Sequence, residues 1–423
     1  MKRYVLYQFP SRPQTYLAIL LASLLTIIVI TFFIEISEYA QHLYKKTIRE
    51  KPLLSLIITP LTYISIIYVA KFYFHRVQSS GIPQILAALD SRNKQIRQQL
   101  LSFRIALAKI GFIFVGMLGG APIGIEGPCI HIGSSIFYGF NRFLNLKRKI
   151  MIHSMIVIGG CAGLIVAFNS PIAALLFAFE ELGRNIKKQA LVLIALCCGG
   201  VYLAAIIYHR GSEPYLRDLS SLTFDYTLIW QLIPLAIVAG LLGGLFAKIM
   251  VVLVRKFIVH TKAKVLMVAL MLGGIVALFN YYSDGLIAGS GKEEVLLMLE
   301  SERLGVDFLL MKYFATLTSL TSTIPGGLFM PAISIGASIG SESSAILTQI
   351  NPQVLIIMAI VAYLSGTIRT PLTATFVVLE MTSTLHLILP ALMVAFIANY
   401  ASTFIKKDPL YETLALNYYK IAS

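Results

Sequence analysis

Long apolar runs separated by short polar segments dominate the chain. Other apolar segments are shorter and are interrupted by Gly and Pro. The longest runs are each close to the roughly 20 residues that a membrane-spanning helix needs: residues 15–34, 52–70, 188–208, 228–247 and 385–403. This pattern predicts an all-α polytopic membrane protein with broken and re-entrant helices, in roughly ten or more helical segments.

Composition and charge agree with a membrane protein. Hydrophobic residues make up 57% of the 423 residues and charged residues only 13%, whereas soluble proteins carry about 25% charged residues. The first run is too long for a signal-peptide core and no A-x-A-like cleavage site follows it, which predicts a retained span. Basic segments at both ends, MKRYVLYQFPSR and KKDPLYETLALNYYK, predict that both termini are cytoplasmic.

The net charge of +15 requires no nucleic-acid partner. Basic residues on the cytoplasmic side and contact with anionic lipid explain this charge. A positive electrostatic potential that attracts a permeating anion is a second interpretation. The four cysteines lie in apolar stretches without metal-ligand spacing, so we expect packing residues and no metal or cofactor.

Three pairs of matching phrases reveal an internal repeat. GIEGP at 124–128 followed by CIHIGSSI matches GLFMP at 327–331 followed by AISIGASI, and FNSPIAALLFAFEE matches IRTPLTATFVVLEM. A weaker pair is SGIPQILAAL from Ser80 and SGKEEVLLML from Ser290. We therefore predict a cytoplasmic N-terminus, two membrane repeats and a short C-terminal helix or tail, at residues 1–14, 15–210, 225–405 and 406–423.

The repeat separates paired acids from unpaired ones. Glu180 matches Glu380, so symmetric packing or hydrogen bonding at helix ends explains both. Glu126 aligns instead with Phe329, and Glu181 aligns with Met381. Scaffold acids are expected in both repeats, so these two acids without a counterpart are the candidate functional acids.

The phrases SSGIP (79–83), GIEGP (124–128) and GGLFMP (326–331) are typical of helices that begin inside a membrane. Such a helix presents unpaired N–H groups and the positive end of its dipole, so several together form an anion site without Lys or Arg. Ionised, Glu126 can occupy that site itself; protonated, it can swing away and admit the external anion. An acid that only caps a helix or pairs with a buried base is the alternative.

In this order, the phrases resemble those of the CLC family of chloride channels and chloride/proton antiporters. SSGIP resembles the family's GSGIP, GIEGP resembles GREGP and GGLFMP fits GxFxP, and the similarity covers essentially the whole chain. The resemblance implies a homodimer in which each subunit has its own pore, built from two inverted-topology repeats. Without the regulatory domains of eukaryotic members, the chain fits a prokaryotic type, expected in a bacterial inner membrane.

The resemblance also implies site residues. The hydroxyls of Ser80 and Tyr411 and the backbone N–H groups of Leu328 and Phe329 would hold chloride. Glu126 would be the external gating glutamate and Glu181 the internal proton acceptor of members that exchange chloride for protons. Lys109 matches a family lysine near the pathway, with a buried charge pair as the alternative. The other pathway-associated positions are Gly81, Ile82, Pro83, Gly124, Ile125 and Gly127.

Two departures from the family pattern alter these expectations. Ile125 replaces the arginine of GREGP, and loss of a cation beside Glu126 should favour its neutral form and shift gating to higher pH, or else weaken anion recruitment. Ser79 replaces the first glycine of GSGIP, a mild change.

Other functions fit these residues less well than a chloride/proton antiporter does. The nearest is a passive chloride channel on the same fold, which needs Glu126 as a gate but has no use for Glu181. A fluoride exporter fits less well because Ser80 suits chloride. GASIG (336–340) formally matches a hydrolase elbow, but that motif needs a strand–turn–helix context with Asp and His partners, so we do not expect an enzyme. A receptor or scaffold gives no reason for unpaired buried acids.

Overall fold

The computed structural model describes residues 13–91, 93–143, 149–183, 188–209, 214–257 and 261–419. The first twelve and last four residues, on which the predicted positions of the termini depend, lie outside these ranges. Within them the chain is helical, and the only strand-like pairing is a single bridge between Gly124 and Gly327.

The helices of the first half include both long spans and short segments. Their bounds are α1 (Pro13–Glu50), α2 (Ser55–Tyr73), α3 (Ile82–Asp90), α4 (Lys94–Leu100), α5 (Phe103–Leu118), α6 (Glu126–Phe143), α7 (Lys149–Phe168), α8 (Pro171–Phe177) and α9 (Lys188–His209). A π-helical turn, Ala178–Leu182, follows α8 directly, and a 3₁₀ turn, Pro52–Leu54, precedes α2.

The second half repeats this alternation of long and short helices. Its bounds are α10 (Leu232–Lys256), α11 (Lys262–Tyr282), α12 (Lys292–Leu299), α13 (Gly305–Thr321), α14 (Phe329–Ser343), α15 (Pro352–Ile368), α16 (Pro371–Met381), α17 (Ile388–Thr403) and α18 (Leu410–Tyr419). The 3₁₀ turns Tyr226–Gln231 and Leu385–Leu387 precede α10 and α17.

Six helical segments of the described chain are long and apolar enough to cross a membrane. They comprise α1, α2, α10, α11, α17 and the α4–α5 segment, and four of the five long apolar runs fall on them; the fifth falls on α9. The predicted all-α, multi-pass membrane architecture is therefore confirmed.

Burial distinguishes the central helices from the outer ones. Every residue of α15 from Val354 to Ile368 is buried, as expected for a helix that is apolar on all sides. Helices such as α1 and α11 instead expose large apolar side chains, for example Phe32 and Met267, which suits contact with lipid. α15 is thus a buried core helix, packed mainly against α10, α14 and α17.

Small residues allow α14 to pack closely on α15. A Cβ added at Gly336 would lie 2.7 Å from the Cα of Ile360, and one at Gly340 would lie 2.4 Å from the Cα of Ile356. The GASIG phrase is therefore a helix-packing motif, as its spacing predicted, and its Ser338 lies inside a helix and not on a strand–turn–helix elbow.

The two halves exchange equivalent contacts, which is the signature of a two-fold relation. Gly124 N donates to Gly327 O over 2.8 Å, and Gly327 N donates back to Gly124 O over 2.6 Å. These glycines are the counterparts that open the matching phrases of the two repeats. The bridge thus joins the halves at the point where their short helices begin.

A second exchange of contacts involves the paired acids. Helices α8 and α16 each begin with proline and have no side-chain cap from their own repeat. The Glu380 carboxylate accepts from the backbone N–H groups of Ile172 and Ala173, at 3.0 and 2.8 Å. Reciprocally, Glu180 accepts from the start of α16, including Thr373 N at 2.7 Å. The prediction that helix-end hydrogen bonding explains both acids is confirmed.

Candidate anion pathway

Three helices begin where the Gly/Pro phrases predicted: α3 at Ile82, α6 at Glu126 and α14 at Phe329. At the start of α3, Gly81 has a φ of +107°, and a Cβ there would lie 2.4 Å from that of His131. Only glycine accepts both the left-handed conformation and this close approach. Pro83 occupies the first turn of α3, where its missing N–H costs nothing.

The three helix starts lie against one another. A Cβ added at Gly127 would lie 2.9 Å from that of Ser80 and 3.5 Å from the Cα of Gly327. Ser80 precedes α3, Gly127 is in the first turn of α6 and Gly327 precedes α14. The starts of helices from both repeats therefore meet in one buried region, and helix starts favour an anion because they carry unpaired N–H groups.

The two hydroxyls predicted to hold the anion are buried. Ser80 is 6% exposed and Tyr411 is 1% exposed, and neither hydroxyl has a hydrogen-bond partner among the described residues. The Tyr411 ring stacks on that of Phe329 with a centroid distance of 6.5 Å, which places it beside the start of α14. A buried hydroxyl without a partner costs about 1–3 kcal/mol, so two near the same helix starts indicate a ligand site.

Glu126 lies between the first turns of α6 and α14. Its side chain is fully buried, and Oε2 accepts a long hydrogen bond of 3.4 Å from the backbone N–H of Met330. A Cβ added at Gly124 would lie 2.4 Å from the same oxygen. The carboxylate thus occupies the space that glycine leaves open, and its contact with α14 is weak enough to break.

Glu181 lies on the π-helical turn that follows α8 and is 5% exposed. The equivalent helix of the second repeat, α16, runs to Met381 as regular α-helix. Tyr411 lies close enough to both Glu181 and Glu126 to interact with their charges. No pattern in the sequence predicts the π turn, and turns of this type are frequent at functional sites.

Lys109 is fully buried and donates to the carbonyl of Ser79 over 3.0 Å. Ser79 has a φ of +69°, so the lysine stabilises a left-handed turn directly before Ser80. The predicted alternative of a buried charge pair finds no acid partner among the described residues. Ile125, in the place of the family arginine, is a buried apolar residue, 4% exposed.

The chain is similar to known proteins in sequence profile and in fold. The sequence profile described as "voltage gated chloride channel" matches residues 62–403, most of the chain. Three solved structures share the fold: a slow cyanobacterial Cl⁻/H⁺ antiporter, a CLC-type fluoride/proton antiporter and a eukaryotic CLC transporter, with TM-scores of 0.83, 0.76 and 0.72.

Sequence identity to these structures is low, at 21%, 21% and 20% respectively. The matches cover 97%, 91% and 95% of this chain, and 100%, 94% and 74% of the matched chains. At this identity the likeness concerns the fold, and the profile match carries the family assignment. The chain belongs to the voltage-gated chloride channel (CLC) family of membrane transport proteins.

Proposed function

We propose that the protein exchanges chloride for protons across a membrane. The observation that carries this proposal is the pair of buried, unpartnered hydroxyls of Ser80 and Tyr411 beside the starts of α3 and α14. Hydroxyl and backbone N–H donors stabilise an anion without adding a cation that would hold it too tightly to leave. The backbone N–H groups of Leu328 and Phe329 complete the proposed chloride site.

Glu126 acts as the gate in this mechanism. Ionised, it stays at the helix starts and excludes the anion; protonated, it loses its attraction to the helix ends and leaves the site to chloride. Its long contact with Met330 N supports such a movement. Because protonation releases the carboxylate, anion passage and proton uptake occur in the same cycle.

Glu181 exchanges that proton with the opposite side. Its burial near Tyr411, together with the absence of an acid at Met381, supports a specific role and not a structural one. Glu180, its neighbour in the chain, is committed to the start of α16. A passive channel on this fold would use Glu126 alone, so Glu181 favours exchange.

The test uses purified protein in sealed liposomes with a chloride gradient and no initial pH difference. We expect chloride flow to drive protons uphill in the wild type, and Glu181→Gln to abolish proton movement while chloride still flows. Glu180→Gln is the matched control and should keep coupling. Chloride flux without any proton movement in the wild type would establish a channel instead, and fluoride in place of chloride tests the rival anion.

We also propose a membrane location, a topology and an oligomeric state for the protein. We place it in a bacterial inner membrane with both termini in the cytoplasm, as a homodimer with one pore per subunit. Single-molecule photobleaching in lipid would report two subunits, and protease protection of tagged termini would report their side.

A further inference from the structure

We propose that Lys292 draws anions from the solution toward Glu126, and that Glu38 restrains it. This inference rests on the proposed function, since it assigns how the anion enters that same site. Lys292 is the first residue of α12, in the second repeat, and was not singled out by any motif of the sequence. It supplies a cation beside α14, the helix that Glu126 contacts, whereas Ile125 offers no charge.

The position of Lys292 is fixed by close packing. Gly291 directly before it has a φ of +89°, and a Cβ there would lie 2.6 Å from Ser334 Oγ on α14. α12 therefore begins directly against the helix whose first turn contacts Glu126. The Lys292 ammonium lies 4.2 Å from the centre of the Tyr215 ring, a cation–π contact.

A line of aromatic rings leads from Lys292 to the proposed chloride site. Tyr215 packs edge-on against Phe168 at 5.5 Å, and Phe168 packs against Phe329 at 5.9 Å. Phe329 in turn stacks on Tyr411. Lys292, 27% exposed, thus lies at the outer end of a row of packed rings that ends at Phe329 and Tyr411.

The charges near Lys292 leave it available to an anion. Its ammonium lies 3.1 Å from Glu38 Oε1, and the two side chains are 27% and 51% exposed. The following acids, Glu293 and Glu294, both bind Lys45. Lys292 also attracts the Glu126 carboxyl electrostatically, although more weakly than the backbone hydrogen bonds to that carboxyl do. An exposed ion pair such as Lys292–Glu38 is worth only about 0–1 kcal/mol, so an incoming anion can compete for the lysine.

Opposite effects of removing the two partners distinguish recruitment from a structural ion pair. Loss of the cation in Lys292→Met should raise the external chloride concentration for half-maximal flux about fivefold at low ionic strength, with less effect at high salt. Glu38→Gln should lower that concentration, because it frees the lysine. Lys292→Arg should behave as wild type, and the maximal flux should stay unchanged in all three.

Charge alone can be tested by modifying Lys292→Cys in liposomes. A cationic, membrane-impermeant thiol reagent should restore chloride affinity, and an anionic one should lower it further. The wild type is one control, because a membrane-impermeant reagent should not reach its own cysteines. Cys129, Cys161 and Cys198 are buried, and Cys197 lies in an apolar helix. Arg217→Cys is the matched control, since the Arg217–Glu300 pair of 2.8 Å is also exposed.

Unchanged affinity in Lys292→Met would overturn the inference. Equal impairment by Lys292→Met and Glu38→Gln, also at saturating chloride, would show a structural ion pair instead and equally overturn it. Absence of any anion flux in the wild type would refute the proposed function itself, so the two failures are distinguishable.

Discussion

Lys109 and Lys312 occupy equivalent positions in the two repeats, and each holds the turn before a Ser-Gly pair. Lys109 donates to Ser79 O, and Lys312 donates to Ile287 O and Gly289 O at 2.9 and 3.1 Å. Glu180 has a counterpart in the other repeat and a structural role, whereas Glu181 has none. By the same reasoning, a lysine that is present in both repeats has a structural role. Lys109 therefore positions Ser80 and need not touch the anion.

Replacing either buried lysine should lower stability without changing coupling. Lys109→Met leaves one buried carbonyl unpaired and Lys312→Met leaves two, at about 1–3 kcal/mol each. We expect a lower melting temperature in detergent, by circular dichroism, with the larger drop for Lys312→Met. Lys248→Met, at an exposed site on α10, should change nothing. A changed proton-to-chloride ratio in Lys109→Met would contradict the structural role and would assign this lysine to the transport pathway.

Glu126→Gln should open the pathway and uncouple it. Wild-type chloride flux should increase as pH falls, because protonation releases the carboxylate. The neutral amide should give high flux at acidic and alkaline pH alike, with no uphill proton movement. Chloride efflux and proton movement are both measured in liposomes at the two pH values. Glu380→Gln is the control and should keep the wild-type pH response, because Glu380 serves only a helix end. A steep pH response in Glu126→Gln would contradict the gating role.

Loss of either unpartnered hydroxyl should weaken chloride binding. Ser80→Ala and Tyr411→Phe each remove one hydrogen bond to an anion, which corresponds to about tenfold in affinity. Isothermal titration calorimetry of the purified protein measures this directly. Tyr63→Phe is the control, because the buried Tyr63 hydroxyl already bonds Ser319. Equal chloride affinity in all three variants would show that chloride does not bind at Ser80 and Tyr411.

Gly124→Ala should disturb the gate through space. Its added methyl would lie 2.4 Å from Glu126 Oε2 and 2.9 Å from Pro331 Cδ, so the carboxylate must leave its place. We expect higher chloride flux at alkaline pH and reduced coupling. Gly111→Ala on α5 has no neighbour within 4 Å and should match wild type. Wild-type coupling in Gly124→Ala would show that Glu126 is not held where the structure has it.

The reciprocal helix caps should determine stability and not selectivity. Glu380→Ala removes two hydrogen bonds to α8, and Glu180→Ala removes three to α16. Each change should cost about 2 kcal/mol or more, because the bonds are charge-assisted. In detergent, the melting temperature of Glu180→Ala should be lower than that of Glu380→Ala. Chloride affinity should be unchanged in both variants. A loss of chloride affinity instead would assign these acids to the pathway.

Much of the site was predictable because its signals are local. A Gly/Pro phrase determines where a helix begins, and the repeat showed that Glu180 and Glu380 share one role. Lys312 could also have been found, since it lies 203 residues after Lys109, the same offset that separates Glu126 from Phe329. The C-terminal Tyr411 was reached only through the family resemblance, because no local pattern marks a tyrosine that packs on α14.

The remaining features depend on contacts between distant segments. Lys292 lies beside α14 because Gly291 packs on Ser334, whereas the sequence around SGKEEV indicates only a helix start. The π turn at Glu181 requires one extra residue in a turn and leaves no periodic signal. Such features follow from packing between helices and not from the period of one helix.

The exchanged caps of Glu180 and Glu380 mean that neither half can complete its own short helix. A half made alone would leave the first N–H groups of its cap-less helix unsatisfied in lipid, whereas two copies in opposite orientations would satisfy each other. The smallest complete unit is therefore a pair of halves, whether or not a peptide bond joins them. Two separate stretches of one chain, unlike two identical copies, can carry different residues at corresponding positions, as Glu126 and Phe329 do.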